Sequence, residues 1–268
     1  MKIFINRVNL RLLFYIFENH QIFSMYNSLK SIIKTVIPQK ILVKNEFFFR
    51  KLLIPFYKGE NCQCNVCETY LKGFATLENG ESICPICGSL PRSRRLYMLL
   101  NKEFLKPNLL VLDFSPFRIL YAKLKEKKEI SYFPSDFEDD FIADHQFDMR
   151  NIDTEDNKFD LIICYHILEH IIEDTIAMKE LFRVLKKSGK VLVQTPFQEG
   201  EIYEDETIVT PEDRLKHFGQ DNHVRIYSIE GLVERLNNAG FTTEIRTLKG
   251  DSYFGFSENE RIIICEKK

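Results

Sequence analysis

The chain has 268 residues, 44% hydrophobic and 28% charged, the balance of an ordinary globular protein and not of a disordered or fibrous one. Its 37 Lys and Arg against 39 Asp and Glu leave a net charge of −2, which excludes a polycation that holds nucleic acid by charge alone. The charge is uneven, with ten Lys and Arg against three Asp and Glu over residues 1–60, or +7, which leaves −9 for the rest. No uncharged apolar run reaches the ~18 residues of a membrane span. The apolar opening is broken by Arg7 and Arg11 and lacks a small-residue cleavage site, so no secretory leader is expected.

Residues 1–58 read as an N-terminal helical arm. Ile32, Ile33, Val36 and Ile37, and later Phe48, Leu52 and Leu53, recur at helical spacing, with Pro38 and Pro55 as punctuation. Residues 59–95 form a cysteine-rich segment. Residues 96–105 predict a helix closed by Pro107. From residue 108 short apolar runs alternate with helical patterns. Strands are expected at 109–114, 130–133, 159–164, 191–195, 241–248 and 261–266. Helices are expected at 117–127, 171–185 and 228–239, the last with Ser228 as N-cap and Gly240 just past its end. That alternation predicts an α/β domain over 96–268, with a mostly parallel sheet covered on both faces. The five acids between Glu201 and Glu212 read as a solvated, mobile loop, and His20 and His145 as surface residues.

Five of the seven cysteines lie between residues 62 and 87. Cys64-x2-Cys67 and Cys84-x2-Cys87 are separated by 16 residues. Two thiolates two residues apart can hold one tetrahedral ion from a tight turn, and a second pair completes four ligands. The spacing is that of a structural zinc ribbon, in a reduced, cytoplasmic protein. Cys62 is a spare thiol that could replace Cys64. Cys164 and Cys265 read as small core residues. Arg92, Arg94 and Arg95 follow the ribbon and are candidates for phosphate contact.

In a doubly wound sheet, ligands bind beyond the carboxyl ends of the strands. Asp113 and Ser115 follow the first strand, Asp136 the second, and Asp148 stands further on. Tyr165, His166, Glu169 and His170 follow the 159–164 strand. Acids at successive strand ends suit a ligand with hydroxyls, an exocyclic amine and a positive charge.

The run Lys158-Phe-Asp-Leu-Ile-Ile-Cys-Tyr-His-Ile-Leu-Glu-His170, followed by Glu180-Leu-Phe-Arg-Val-Leu-Lys-Lys-Ser-Gly-Lys-Val-Leu-Val193, resembles the class I S-adenosylmethionine-dependent methyltransferases over about residues 108–248. Cys84-Pro-Ile-Cys-Gly-Ser-Leu-Pro-Arg92 and Phe218-Gly-Gln-Asp-Asn-His-Val-Arg-Ile-Tyr227 resemble a bacterial group of methyltransferase-like proteins with a preceding zinc ribbon. The resemblance implies a Rossmann-like, doubly wound, seven-stranded sheet. It also implies a cofactor site in which Asp136 holds the ribose, and Asp148 and Met149 the adenine. Asp113, Phe114 and Ser115 would border the methionine part, and Tyr165 and His166 the transferred methyl. The family's glycine-rich first loop is absent, since Asp113-Phe-Ser-Pro-Phe-Arg118 has no glycine.

His223 suits a general base, with Asp221 to orient it and Arg225 to bind an acidic acceptor group; His217 is a weaker candidate and His166 a further one. His166-x-x-Glu169-His170 also matches an inverted metalloprotease pattern and the metal-binding acidic motif of some quinone-pathway O-methyltransferases, although as the end of a buried strand it reads first as a pocket wall. The expected acceptor is a small molecule or a glycan unit. An RNA methyltransferase that uses the ribbon arginines is the alternative, and a non-catalytic scaffold, motivated by the missing glycines, is a third reading.

Overall fold

The computed structural model describes residues 46–77, 79–137 and 142–268. The helices expected at residues 1–45, and His20, lie outside the described residues. The described residues divide into two compact units: those up to Met98 with Gly250–Ser257, and Leu99–Lys249 with Glu258–Lys268. The sequence places a boundary near residue 95 but carries no sign that eight residues near 250 return to the first unit.

The first unit begins with two short helices, α1 (Glu46–Lys51) and α2 (Ile54–Tyr57), divided beside Pro55, which the sequence reads as punctuation. Pro55 lies in the first turn of α2, where its missing N–H costs nothing, and it cannot continue a helix from upstream. Phe48, Leu52 and Phe56 are exposed, so the helical periodicity there marks no buried stripe. Two antiparallel pairs follow, β1 (Lys58–Gln63) with β2 (Tyr70–Leu71) and β3 (Ala75–Thr76) with β4 (Ser82–Ile83). Tyr57, Val66, Leu71, Ala75 and Ile83 are buried. Helix α3 (Pro91–Leu99) starts five residues earlier than the apolar pattern predicts and passes into a π-helical turn over Leu100–Phe104.

The second unit runs β5 (Leu110–Phe114), α4 (Arg118–Lys125), β6 (Ser131–Ser135), β7 (Phe159–Tyr165), α5 (Asp174–Val184) and β8 (Leu185–Gln194). It continues with β9 (Phe197–Gln198), β10 (Tyr203–Glu204), α6 (Pro211–Phe218), β11 (Arg225–Ser228), α7 (Ile229–Asn238), β12 (Thr242–Leu248) and β13 (Glu260–Glu266). The main sheet has the order β12-β13-β8-β7-β5-β6. β6, β5, β7 and β8 are parallel, while β13 and β12 are antiparallel to their neighbours. This is the α/β Rossmann-like sheet, with six strands among the described residues where seven are expected. The strand that would flank β6 is reduced to isolated bridges, Ser135 with His145 and Asp148 with Asn151. Pro134 has no N–H to give to a ladder, which suits β6 to an edge.

The core alternates along the strands. Leu112, Phe114, Ile162, Cys164, Val191, Val193, Ile263 and Cys265 are buried with Met178 and Leu181 of α5 and Leu232 and Leu236 of α7. The Ser228 hydroxyl accepts from Gly231 N at 3.2 Å, capping α7. The acidic 201–212 stretch is more ordered than the expected loop. β10 lies within it, pairing with β11, and Thr210 caps α6. No helix among the described residues is long and apolar enough to cross a membrane.

Candidate functional site

The two cysteine pairs occupy turns of the same build. Cys64 N donates to Thr69 O at 3.1 Å, and Cys84 N to Ser89 O at 2.9 Å. The residue after each second cysteine has a left-handed backbone, Glu68 at φ 60° and Gly88 at φ 76°. The turns bring Cys64, Cys67, Cys84 and Cys87 together, with all four sulfurs within 4.8 Å of one another. Cys64 and Cys87 are 3.6 Å apart, and Cys67 and Cys84 3.8 Å. Four sulfurs at about 2.3 Å from one tetrahedral zinc ion would stand about 3.8 Å apart, so the set fits that ion. Hydrogen bonds from Cys67, Cys84 and Cys87 hold the Cys64 thiol far below its ordinary range. Cys62 is outside the cluster. Its thiol points to Leu71 O at 3.6 Å, and burial raises its pKa, so it does not stand in for Cys64.

The arginines after the ribbon are structural. Arg94 is fully buried and donates to Ser89 O at 2.5 Å, Phe254 O at 2.9 Å, Gly255 O at 2.6 Å and Ser82 Oγ at 3.1 Å, with its guanidinium over Phe74. Arg95 donates to Ser257 O at 3.0 Å and lies over Phe256. Arg92 pairs with Glu81. These contacts account for the return of Gly250–Ser257 and leave Arg94 and Arg95 with no guanidinium facing solvent for phosphate.

In the second unit the strand ends gather the expected acids. Asp113 is buried at the end of β5, and burial pushes its carboxyl up to about 7 despite the hydrogen bond donated by the Tyr132 hydroxyl at 2.7 Å. Ser115, in the loop that lacks glycine, itself takes the left-handed conformation at φ 46°. Its N–H donates to Ser135 O at 2.7 Å and its hydroxyl to Asp136 Oδ1 at 2.6 Å, so the loop after β5 is tied to the end of β6. Asp148 is gripped by Arg150, which lowers its pKa. Met149 and Phe114 are buried among the core residues. Tyr165 is buried at the end of β7. His145 is half-buried, and its ring stacks on Phe133 and on Phe147.

Beyond β7 the backbone turns through His166 at φ 57°, and His166 N donates to Gln194 O at 2.7 Å. His166 Nδ1 faces Glu169 Oε1 at 3.3 Å, with Glu169 only 1% exposed. His166 Nε2, Gln194 Oε1 and Thr195 Oγ1 are buried with no hydrogen-bond partner among the described residues. Orphaned polar atoms at adjoining strand ends mark a place for an exogenous polar group. Gln194 and Thr195 escaped the sequence reading, although the strand-end rule applied to β8 would have found them.

His223 is buried, but not against Asp221, which is exposed. Its ring meets His170 edge to face at 4.7 Å, and burial and the neighbouring His170 lower its pKa. Arg225 is buried and engaged within the chain. It donates to the carbonyls of Leu168, Ile171 and Ile172 and to Glu204, clasping the chain after β7 to β10. Glu204 is shared with Arg235. His217 is exposed, with Nδ1 at 2.7 Å from the Tyr203 hydroxyl.

Comparison with known proteins places these sites in context. A family model described as a methyltransferase domain matches residues 82–244. An uncharacterized protein of Methanocaldococcus jannaschii is 29% identical over 133 residues, 48% of this chain and 50% of that protein. The chain thus spans about half the length of the curated relative it matches. Among solved structures, a SAM-dependent methyltransferase from Archaeoglobus fulgidus is similar with a TM-score of 0.47 and 16% identity, covering 66% of this chain and 91% of that one. The YcgJ protein of Bacillus subtilis is similar with a TM-score of 0.46 and 14% identity, covering 65% of this chain and 98% of that one.

Proposed function

The chain belongs to the S-adenosylmethionine-dependent methyltransferases, and from that membership we propose that it methylates an oxygen or nitrogen of a small molecule or glycan unit. The observation that carries the reading is the convergence of Asp113, Ser115, Asp136 and the His166–Glu169 pair at the carboxyl ends of adjacent parallel strands. When bound, S-adenosylmethionine supplies a methyl group on a positively charged sulfur. Asp136, positioned by Ser115, accepts hydrogen bonds from the ribose hydroxyls. Asp113 faces the methionine ammonium, whose charge would favour the ionised carboxylate. Asp148, kept ionised by Arg150, faces the adenine amine.

His166 supplies the base. With Nδ1 turned to Glu169, Nε2 is left to take the proton of an acceptor hydroxyl, and Glu169 acts as a positioning residue through the ring. Such a base adds about 10²–10⁴-fold, and holding acceptor and methyl in line supplies most of the remaining acceleration. The four cysteines hold a structural zinc ion. Thiolates at that spacing need a reducing compartment, which supports a cytoplasmic enzyme. Engaged ribbon arginines and the acidic balance beyond residue 60 support a small acceptor over RNA.

Calorimetry of S-adenosylhomocysteine binding to the zinc-loaded chain tests the reading. Asp136→Ala is expected to weaken binding by about 10- to 100-fold, the loss of one or two hydrogen bonds to a charged group. A wild-type chain that binds neither S-adenosylhomocysteine nor S-adenosylmethionine would replace the enzyme with a scaffold. RNA binding that falls steeply with salt would replace the small acceptor with RNA.

A further inference from the structure

Glu169, His170 and His223 form a second cluster of potential metal ligands, separate from the cysteines. Each offers one ligand atom, and the three atoms lie within 4.8 Å of one another. The residues come from two distant stretches of chain, the turn after β7 and the segment before β11, held together by Val224 N donating to Glu169 O at 2.9 Å. Glu169 is 1% exposed, and its Oε2 has no hydrogen-bond partner among the described residues. Oε1 faces His166 Nδ1 at 3.3 Å, which leaves Oε2 to a cation. A buried carboxylate is costly unless it meets a compensating charge.

The His170 imidazole is arranged as metal ligands usually are. A ligating histidine commonly gives its other ring N–H to a backbone carbonyl, which fixes the ring. His170 Nδ1 lies 3.3 Å from Asn222 O, which orients that ring and leaves its Nε2 available as a ligand, and the buried His223 ring meets it edge to face at 4.7 Å.

We propose that Glu169, His170 and His223 bind one divalent transition-metal ion, in addition to the ion held by the four cysteines. Two imidazoles and a carboxylate suit zinc, cobalt or nickel better than magnesium or calcium. Three protein ligands leave a position for an oxygen donor from outside the protein, the arrangement of catalytic and not of structural zinc sites. The ion site stands on these contacts alone, whatever group the enzyme methylates.

The test is a Co²⁺ titration of the full, zinc-loaded chain. One equivalent of cobalt should bind with visible d–d bands and without the near-ultraviolet thiolate charge-transfer band that exchange into the cysteine site would produce. His170→Ala removes a half-buried ligand and should fold. Its cobalt affinity should fall about tenfold or more, as should that of Glu169→Gln, while His217→Ala retains the wild-type value. Cobalt that appears only with the thiolate band overturns the proposal. So does a d–d signal of unchanged affinity in both His170→Ala and Glu169→Gln.

Discussion

The cysteine unit and the α/β unit assemble their sites by different routes. In the first, all four sulfurs come from two short turns repeating one hydrogen-bond pattern, Cys64 to Thr69 and Cys84 to Ser89. In the second, residues separated by more than 50 positions meet at strand ends, as where Arg225 holds the carbonyls of Ile171 and Ile172. A site made of turns stands or falls with its ion. A site made of strand ends rests on a packed sheet that persists without ligand.

Breaking that contrast starts with the ion. Cys84→Ser, or a strong chelator, should abolish zinc content and cooperative melting of the first unit, because structural zinc supplies folding free energy directly. Elemental analysis and hydrogen exchange over residues 58–98 would report it. Retained protection there without zinc would place the unit's stability in its small apolar core. In the second unit, Arg225→Ala should cost about 3 kcal/mol, since three carbonyls lose a buried, charged donor. Denaturant unfolding measures it, and Arg225→Lys should recover only part, lacking the planar fork.

Gly255→Ala should cost about 2 kcal/mol, because φ is +65° and an added Cβ would lie 2.5 Å from Phe74. Zinc should be retained, which separates packing from coordination. Asp113 gives a pH signature to the second unit alone. Its folded pKa of about 7 lies above the unfolded value, so the fold binds more protons between about pH 4 and 7 and stability falls as pH rises through that window. Asp113→Asn keeps the Tyr132 hydrogen bond and should raise the melting temperature at pH 8 but not at pH 4. An equal gain at both would remove the buried charge as the cause. The smallest effect concerns the unequal turns. Glu68→Gly should stabilise by about 1 kcal/mol by relieving a left-handed backbone that Gly88 adopts freely.

Features carried by local pattern were legible in the sequence. The cysteine spacing named the four converging sulfurs, and the alternation of runs placed the strands of the main sheet within two residues, except that β8 starts six residues before the expected run. The strand-end rule put Asp113, Asp136 and His166 at the carboxyl ends of β5, β6 and β7, where the structure has them. What local pattern does not encode was missed. Among the described residues the strand expected beside β6 amounts to isolated bridges, next to a Pro134 that has no N–H to donate. Arg94, Arg95 and Arg225 read as surface cations, because a buried arginine differs from an exposed one only in the carbonyls the fold brings to it. His223 was paired with Asp221 by proximity in sequence, whereas the turn exposes Asp221 and sets the ring against His170.

Arg94 reaches Phe254 across 160 residues of chain, and Arg95 reaches Ser257 across 162. The cysteine unit is therefore not a contiguous module that could be cut out at residue 98 and expressed alone. During synthesis its turns can close early, but Arg94 stays without its Phe254 and Gly255 acceptors until nearly all of the α/β unit has left the ribosome. The first unit to begin folding is thus among the last to finish, and a buried guanidinium waits on the hairpin between β12 and β13.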